Sequence, residues 1–321
     1  MGKYSVSRNV VRHALKNLEQ KGYSRSVKGV GTFVKEVSSI SSSSHIVGLI
    51  TFFSHSYIFP DIIEAIDKEL HPKNFHLLIG YSHHSKQREK ALLDQFIQKG
   101  VSGIILEAVG DDDITTSNYE TLKEIKKRGI PLILIDNHIK EIDVTQIILN
   151  DYESGRLCAK YFIEKGHTNF AFFYQKDYYP KTERIRGAKE YIEQHAPTAT
   201  IKNYPFTGQG KLSNAKESAC KMIEEYEGEY VALFCSSDED ALYVIEDINK
   251  KGLIIGEDIS IVGFDNLTSL AITTFNHPSD YMGKIAAREM LDLMKKRSEK
   301  ESIIITLGAT FIERDSVKDL I

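Results

Sequence analysis

Apolar positions along this chain alternate between two rhythms. Residues 46–53 (IVGLITFF) form a continuous, largely β-branched run. The PDIIEAIDKEL stretch that follows sets Ile62, Ile63, Ile66 and Leu70 at the spacing of one helix face. The change of period then recurs. Residues 74–82 read as a strand, QREKALLDQFIQKG as a helix closed by Gly100, 102–107 as a strand, NYETLKEIKKRG as a helix ending at Gly129, and 130–137 as a strand. Further on, SGRLCAKYFIEKG, TERIRGAKEYIEQH, LSNAKESACKMIEEY, DEDALYVIEDINKKG and YMGKIAAREMLDLMKKR read as helices. The runs NFAFFYQ, IKNYPF, YVALFCS and ISIVGFDN between them read as strands. Continuous apolar strands alternating with amphipathic helices predict an α/β, doubly wound fold with parallel sheets covered on both faces. Residues 45–321 are too many for one open sheet, so two lobes with a ligand cleft between them are expected. Lobe 1 would take about 45–149 plus 278–300, and lobe 2 about 150–276 plus 301–321.

Ahead of residue 45 the pattern is different. The serine run at 38–44 (SSISSSS) cannot bury a core and predicts a linker over 37–44. Before it, Ser7 can cap a helix beginning at Arg8, on which Val11, Ala14, Leu15 and Leu18 share a stripe and Arg8 and Arg12 share another face. SRSVKGVGTFV then reads as two short strands around a glycine-containing turn. Residues 1–36 carry eight Lys and Arg against Glu19 and Glu36, a net of +6, which leaves −10 on the rest of a chain whose total is −4. A basic head on an acidic body, with an Arg-bearing helix followed by a basic hairpin, suits a major-groove helix with a wing beside it. The competing reading is a solvated basic terminus.

Composition narrows the classes. With 41% hydrophobic and 27% charged residues the chain is globular rather than disordered. No apolar run approaches the roughly 20 residues that span a bilayer. MGKYSVSRNV has no apolar secretion segment, so a cytoplasmic protein with no membrane partner is expected. Three cysteines, Cys158, Cys220 and Cys235, are too few and scattered for a disulfide framework. The His83–His84 pair has no Cys or carboxylate at ligand spacing, so no metal is expected. The absence of a phosphate loop, a dinucleotide fingerprint or a nucleophile elbow argues against an enzyme and against a cofactor.

The segment VSRNVVRHALKNLEQKG followed by GVGTFV resembles the back half of a GntR-type winged helix-turn-helix. That resemblance implies DNA contacts from Ser7, Arg8 and Arg12 on the recognition helix and from Lys28, Gly29 and Gly31 at the wing. In that family a first helix and the start of a second precede this segment. Here it follows Met1 almost directly, so the head over 1–36 is expected to be a partial one. In the body, NDYESG (150–155), GHTNFAF (166–172), RIRG (184–187), SSDEDAL (236–242) and GEDISIVGFDN (256–266) resemble the effector domain of LacI/GalR-type repressors. A GntR-type head on a LacI-type body resembles the arabinose-repressor group, and the YIFPDIIEAI segment (57–66) fits it. The resemblance implies a homodimeric transcriptional repressor that binds operator DNA and is released by a pentose, L-arabinose or a related sugar. By residue-by-residue match it implies ligand contacts from Tyr57, Phe59, Glu107, Arg184, Asp265 and His277, with Lys176 and Tyr178 on a more loosely matched loop; Asp136 joins the candidates by its place at a strand end.

Sugar chemistry agrees with this picture. Sugar hydroxyls need planar, bidentate polar groups, which open α/β sheets present at the C-terminal ends of their strands. Glu107, Asp136, Asn137, Asp265 and Asn266 end predicted strands, and Arg184 and 236–238 follow others. Alone, a strand-end acid is often only a helix cap. Asp136 could equally orient a hinge, and Tyr57 and Phe59 could equally pack between lobes. A sugar-modifying enzyme on the same fold, a non-DNA-binding sugar sensor and a transport-type binding protein are the alternative functions.

Overall fold

The structure, a computed structural model, describes residues 8–20, 24–27, 31–34, 45–52, 58–110, 117–208, 211–225, 228, 230–295 and 301–321. The chain divides into two compact units, Met1–Ser44 and His45–Ile321.

In the first unit, helix α1 (Arg8–Gln20) is followed by β1 (Ser24–Val27) and β2 (Gly31–Val34). The two strands pair antiparallel, with Ser24 opposite Val34 and Val27 opposite Gly31. Glu19 of α1 accepts the Ser26 backbone N–H at 2.8 Å, which ties helix to hairpin, and the Ser26 and Thr32 hydroxyls meet across the strands at 3.2 Å. Gly31 has φ +146°, a conformation that a side chain disfavours. Arg12 is exposed. The expected apolar stripe on α1 lies open among the described residues: Val11 and Leu18 are exposed, as are Val10 and Phe33. Ser7, Lys28 and Gly29 lie outside the described residues, as does the Arg8 side chain.

The second unit begins with β3 (Ile46–Thr51), α2 (Phe59–Leu70), β4 (His76–Tyr81), α3 (Lys86–Lys99), β5 (Gly103–Leu106), α4 (Tyr119–Lys127), β6 (Leu132–Asp136) and β7 (Thr145–Leu149). It continues with α5 (Asp151–Glu164), β8 (Asn169–Gln175), α6 (Tyr179–His195), β9 (Thr200–Phe206), α7 (Lys211–Glu224), β10 (Val231–Cys235), α8 (Asp238–Lys250) and β11 (Ile259–Val262). The last elements are β12 (Thr274–Asn276), α9 (Ser279–Lys295), β13 (Ile304–Leu307) and β14 (Thr310–Ile312). Among the described residues, one sheet runs β13-β7-β6-β5-β3-β4 and a second runs β11-β10-β8-β9, all pairs parallel, while β12 and β14 form an antiparallel ribbon. The fold is the two-lobed, doubly wound α/β architecture of the periplasmic-binding-protein type.

The expected lobe 2 took in 301–321, yet Ile304–Leu307 lies in the first sheet, Ile304 beside Gln146 and Leu307 beside Leu149. Strand β7 leaves its outer backbone groups unpaired, and the IITL segment satisfies them. The chain therefore passes between the sheets after β7, after β12 and after β13.

A single apolar cluster runs from Val47, Leu49 and Ile133 through Leu149, Phe275 and Leu307 to Phe170, Phe172 and Phe234. Alternate residues of the same strands, Ala171, Phe173, Leu233 and Cys235, face the opposite side of the second sheet, as a period of two requires. Ser85, Asn150 and Ser237 accept backbone N–H groups at the starts of α3, α5 and α8 and so fix where the strand-to-helix loops end. Helices α5 and α6 meet backbone to backbone. A Cβ on Gly155 would lie 1.8 Å from the Arg184 carbonyl oxygen, and one on Gly187 2.0 Å from that of Tyr152. This close approach places Arg184 beside the first turn of α5.

Candidate functional site

The C-terminal ends of both sheets bring charged groups together in the interior. Arg184 on α6 is buried. Its Nε donates to Asp151 Oδ1 at 2.7 Å, its Nη1 donates to the Ser236 carbonyl oxygen at 2.6 Å, and its guanidinium lies 3.4 Å from the ring centre of Phe264. Burial works against the Arg184 charge, but Asp151, Asp265 and Asp136 outweigh it and lift its pKa. Asp136 ends β6 with φ +62°, a left-handed conformation that Asp tolerates. Its Oδ1 faces His277 Nε2 at 3.4 Å and its Oδ2 accepts from the Tyr178 hydroxyl at 2.5 Å. Burial pushes Asp136 up; His277, Tyr178 and the Arg184 charge more than offset this and hold its pKa below the usual carboxylate value. Glu107, just after β5, accepts the Phe52 backbone N–H at 2.8 Å and lies 3.2 Å from the same Tyr178 hydroxyl. Burial, with the Asp136 charge adding to it, raises Glu107 well above its ordinary range.

Tyr178 stands on the loop between β8 and α6, so its hydroxyl joins the second lobe to two carboxyls of the first. Its ring packs edge-on against Phe52, with ring centres 5.4 Å apart, and His84 lies 3.9 Å from Phe52. A cavity of about 520 Å³ opens beside this aromatic group. It is lined by Phe52, His83, His84 and Val109 from the first lobe and by Asp177 and Tyr178 from the second. That is within the size range of small-molecule pockets.

The loops that carry these groups are held by buried side chains. Asn137 donates to the carbonyl oxygens of Ala108 and Gly110 at 2.7 and 2.8 Å. Glu89 on α3 accepts the Val109 N–H at 2.6 Å and the Asn118 amide at 2.8 Å. Asp238, at the start of α8, accepts the Leu267 N–H at 2.7 Å and the Thr274 hydroxyl at 2.9 Å, which fixes the loop bearing Asp265. Lys181 and Ser236 both donate to Asp240 Oδ2, at 2.5 and 2.8 Å.

Of the residues expected at the site, Glu107, Asp136, Arg184 and His277 converge in this buried cluster, and Asp265 lies close enough to Arg184 to raise its pKa. Phe59 departs from expectation. It opens α2 in the apolar core with Val47, Leu49 and Ile62, because an aromatic on the inward face of an amphipathic helix gains more from burial there. Lys176 departs as well: it is exposed and lines a separate groove with Asn203, Phe206, Asn214 and Lys221. Tyr57 lies outside the described residues. Asp151, Phe52, Phe264 and the Ser236 carbonyl were not singled out from sequence. Asp151 sat within NDYESG at a helix start, where an acid reads as a capping residue. Among the described residues, no group of three His, Cys, Asp or Glu is placed to hold a metal ion.

These buried acids carry a pH dependence. Burial pushes Glu89 up to about 7 and Asp238, aided by the Asp265 charge, up to about 7; it pushes Asp151 up to about 6 against the pull of Arg184. Their unfolded values lie near 4. These three groups therefore bind more protons in the native chain than in the unfolded chain between about pH 4 and pH 7, and their contribution to stability falls as pH rises through that window, while burial of His167, which lowers its pKa, acts in the opposite sense. The fall in Tm between pH 5.5 and pH 8 is expected to be smaller in Glu89→Gln than in the parent, and an equal fall in thermal melts of the two would contradict the raised pKa of Glu89.

Residues 159–317 match the family model described as a periplasmic binding protein-like domain. The chain is 30% identical over 327 residues to the arabinose metabolism transcriptional repressor of Geobacillus stearothermophilus, with 99% of this chain and 89% of the relative covered. The chain belongs to the LacI family of transcriptional regulators. The HTH-type transcriptional repressor PurR of Klebsiella pneumoniae (strain 342) is 27% identical to this LacI-family chain, covering 98% of it and 89% of the relative. A crystal structure of a LacI family transcriptional regulator from Enterococcus faecium with bound ribose shares its fold, with a TM-score of 0.73 at 20% identity over 86% of this chain and all of the other. The Geobacillus and Klebsiella relatives are repressors, and membership of the LacI family sets aside the enzyme reading. No helix among the described residues of this LacI-family regulator is long and apolar enough to cross a membrane.

Proposed function

We propose that this LacI-family regulator is a cytoplasmic, homodimeric repressor that binds operator DNA through residues 1–36 and releases it when a pentose, L-arabinose, binds between the lobes of residues 45–321. The carrying observation is the buried polar cluster at the lobe boundary, where Glu107, Asp136, Arg184 and His277 converge beside Tyr178 and an aromatic-lined cavity. Carboxylates and a guanidinium supply paired acceptors and donors for vicinal hydroxyls, and Phe52, His84 and Tyr178 supply apolar faces for sugar C–H groups. The 30% identity to an arabinose metabolism repressor supports L-arabinose over other pentoses. The basic, GntR-like head supports operator contacts from Ser7, Arg8, Arg12, Lys28, Gly29 and Gly31, with residues 37–44 as the linker. A two-fold dimer would match a palindromic operator. The test is release of operator-bound protein by L-arabinose, with D-xylose and D-ribose in parallel. Release by L-arabinose at the lowest concentration supports the reading, release by another pentose first reassigns the effector, and release by none refutes it.

A further inference from the structure

The Tyr178 hydroxyl faces more partners than it has protons. Its oxygen lies 2.5 Å from Asp136 Oδ2 and 3.2 Å from Glu107 Oε1, while a phenol has one hydrogen to donate and lone pairs to accept with. One arrangement satisfies all three groups. Glu107 carries a proton on Oε1 and donates it toward Tyr178, Tyr178 donates to Asp136, and Asp136 takes its other bond from His277. Glu107 Oε2 stays an acceptor for the Phe52 N–H. The electrostatics agree: burial and the Asp136 charge drive Glu107 toward its neutral form, and His277 and Tyr178 keep Asp136 ionised.

A donor and an acceptor aimed at one hydroxyl are also what a sugar hydroxyl would need at this place. Glu107 and Asp136 are buried against the Tyr178 hydroxyl, and Tyr178 lines the cavity. Because that hydroxyl occupies oxygens of both Glu107 and Asp136, a ligand hydroxyl engages those oxygens only by displacing it. We propose that the Tyr178 hydroxyl stands in for an effector hydroxyl, latching the two lobes together and competing with the sugar for Glu107 and Asp136. This rests on the reading of the cleft as an effector site.

If the latch must open before the sugar engages, the apparent Kd equals the intrinsic Kd divided by the fraction of molecules with Tyr178 withdrawn. Tyr178→Phe raises that fraction while keeping the ring and its packing on Phe52. The full chain is compared with Tyr178→Phe in two measurements, L-arabinose titration by calorimetry and amide hydrogen exchange without sugar. The variant is expected to bind L-arabinose about tenfold more tightly, the scale set by losing one hydrogen bond to a charged group. Its amides over 46–52 and 103–110 should exchange faster, with α8 unchanged. Equal or weaker binding by the variant overturns the latch but leaves the effector site standing, since the parent chain still binds. If neither protein binds L-arabinose, the effector reading fails and exchange alone decides the latch. Faster exchange confined to those two segments then supports a lobe tie, and unchanged exchange overturns it.

Discussion

Arg184→Ala is expected to cost about 3–5 kcal/mol of folding stability, the range for breaking a buried ion pair from one side. The residue does three things at once. It neutralises Asp151, which is buried, satisfies the Ser236 carbonyl, and covers the face of Phe264. Removing it strands a buried carboxylate without a countercharge in the first turn of α5. Asp151→Asn should relieve much of that penalty, so the double variant should be more stable than Arg184→Ala alone, the sign of direct coupling between the two sites. Arg184→Lys should not restore the parent, because an ammonium cannot span Asp151 and Ser236 in one plane while stacking on Phe264. Urea unfolding of the parent, the three single variants and the double variant checks this. A loss below about 1 kcal/mol in Arg184→Ala, the size of an exposed pair, would contradict the buried-pair account.

A chain beginning at His45 is expected to lose operator binding by about 10³-fold or more, the usual gap between specific and non-specific affinity. The reason is electrostatic as much as structural. Residues 1–36 hold a net +6 and the rest of the chain a net −10, so the remaining body repels phosphate rather than merely lacking contacts. Sugar affinity should be unchanged, because every group of the cluster lies within His45–Ile321, which is a compact unit of its own. Fluorescence anisotropy with labelled operator, paired with calorimetry of L-arabinose, separates the two activities. Operator affinity within threefold of the full chain would place the DNA-binding surface in the body instead.

The body's strands were readable wherever an apolar run was long. IVGLIT, GIIL, LILID and VALFC are buried on both faces and show as uninterrupted hydrophobic stretches. Strands β7, β12, β13 and β14 carry no such signal. TQIIL, TFN, IITL and TFI are short and carry polar residues, and they are strands because a neighbour offers an unpaired edge. For that reason the sequence pattern alone does not place Ile304–Leu307 beside β7. In the site, position in the fold was readable and partnership was not. Glu107 and Asp136 announce themselves as acids at strand ends. That Arg184 is committed to Asp151, and that Tyr178 reaches from one lobe to both acids of the other, depends on the α5–α6 approach and on how the lobes meet. Phe59 shows the converse: of the two readings its place beside a loop allows, sugar platform or packing residue, the helix period around Ile62, Ile66 and Leu70 favours packing, and the residue lies on the core face.

Sugar in the cleft and operator at the head are expected to be coupled antagonistically through one protein. Coupling free energies between such sites are typically about 1–3 kcal/mol, a shift of about 5- to 150-fold, and linkage makes the shift equal in both directions. The decisive measurement is operator affinity of the full chain with and without saturating L-arabinose, together with L-arabinose affinity with and without saturating operator. Each ligand is expected to weaken the other by the same factor within that range. Operator affinity that does not change while L-arabinose is shown to bind would contradict it.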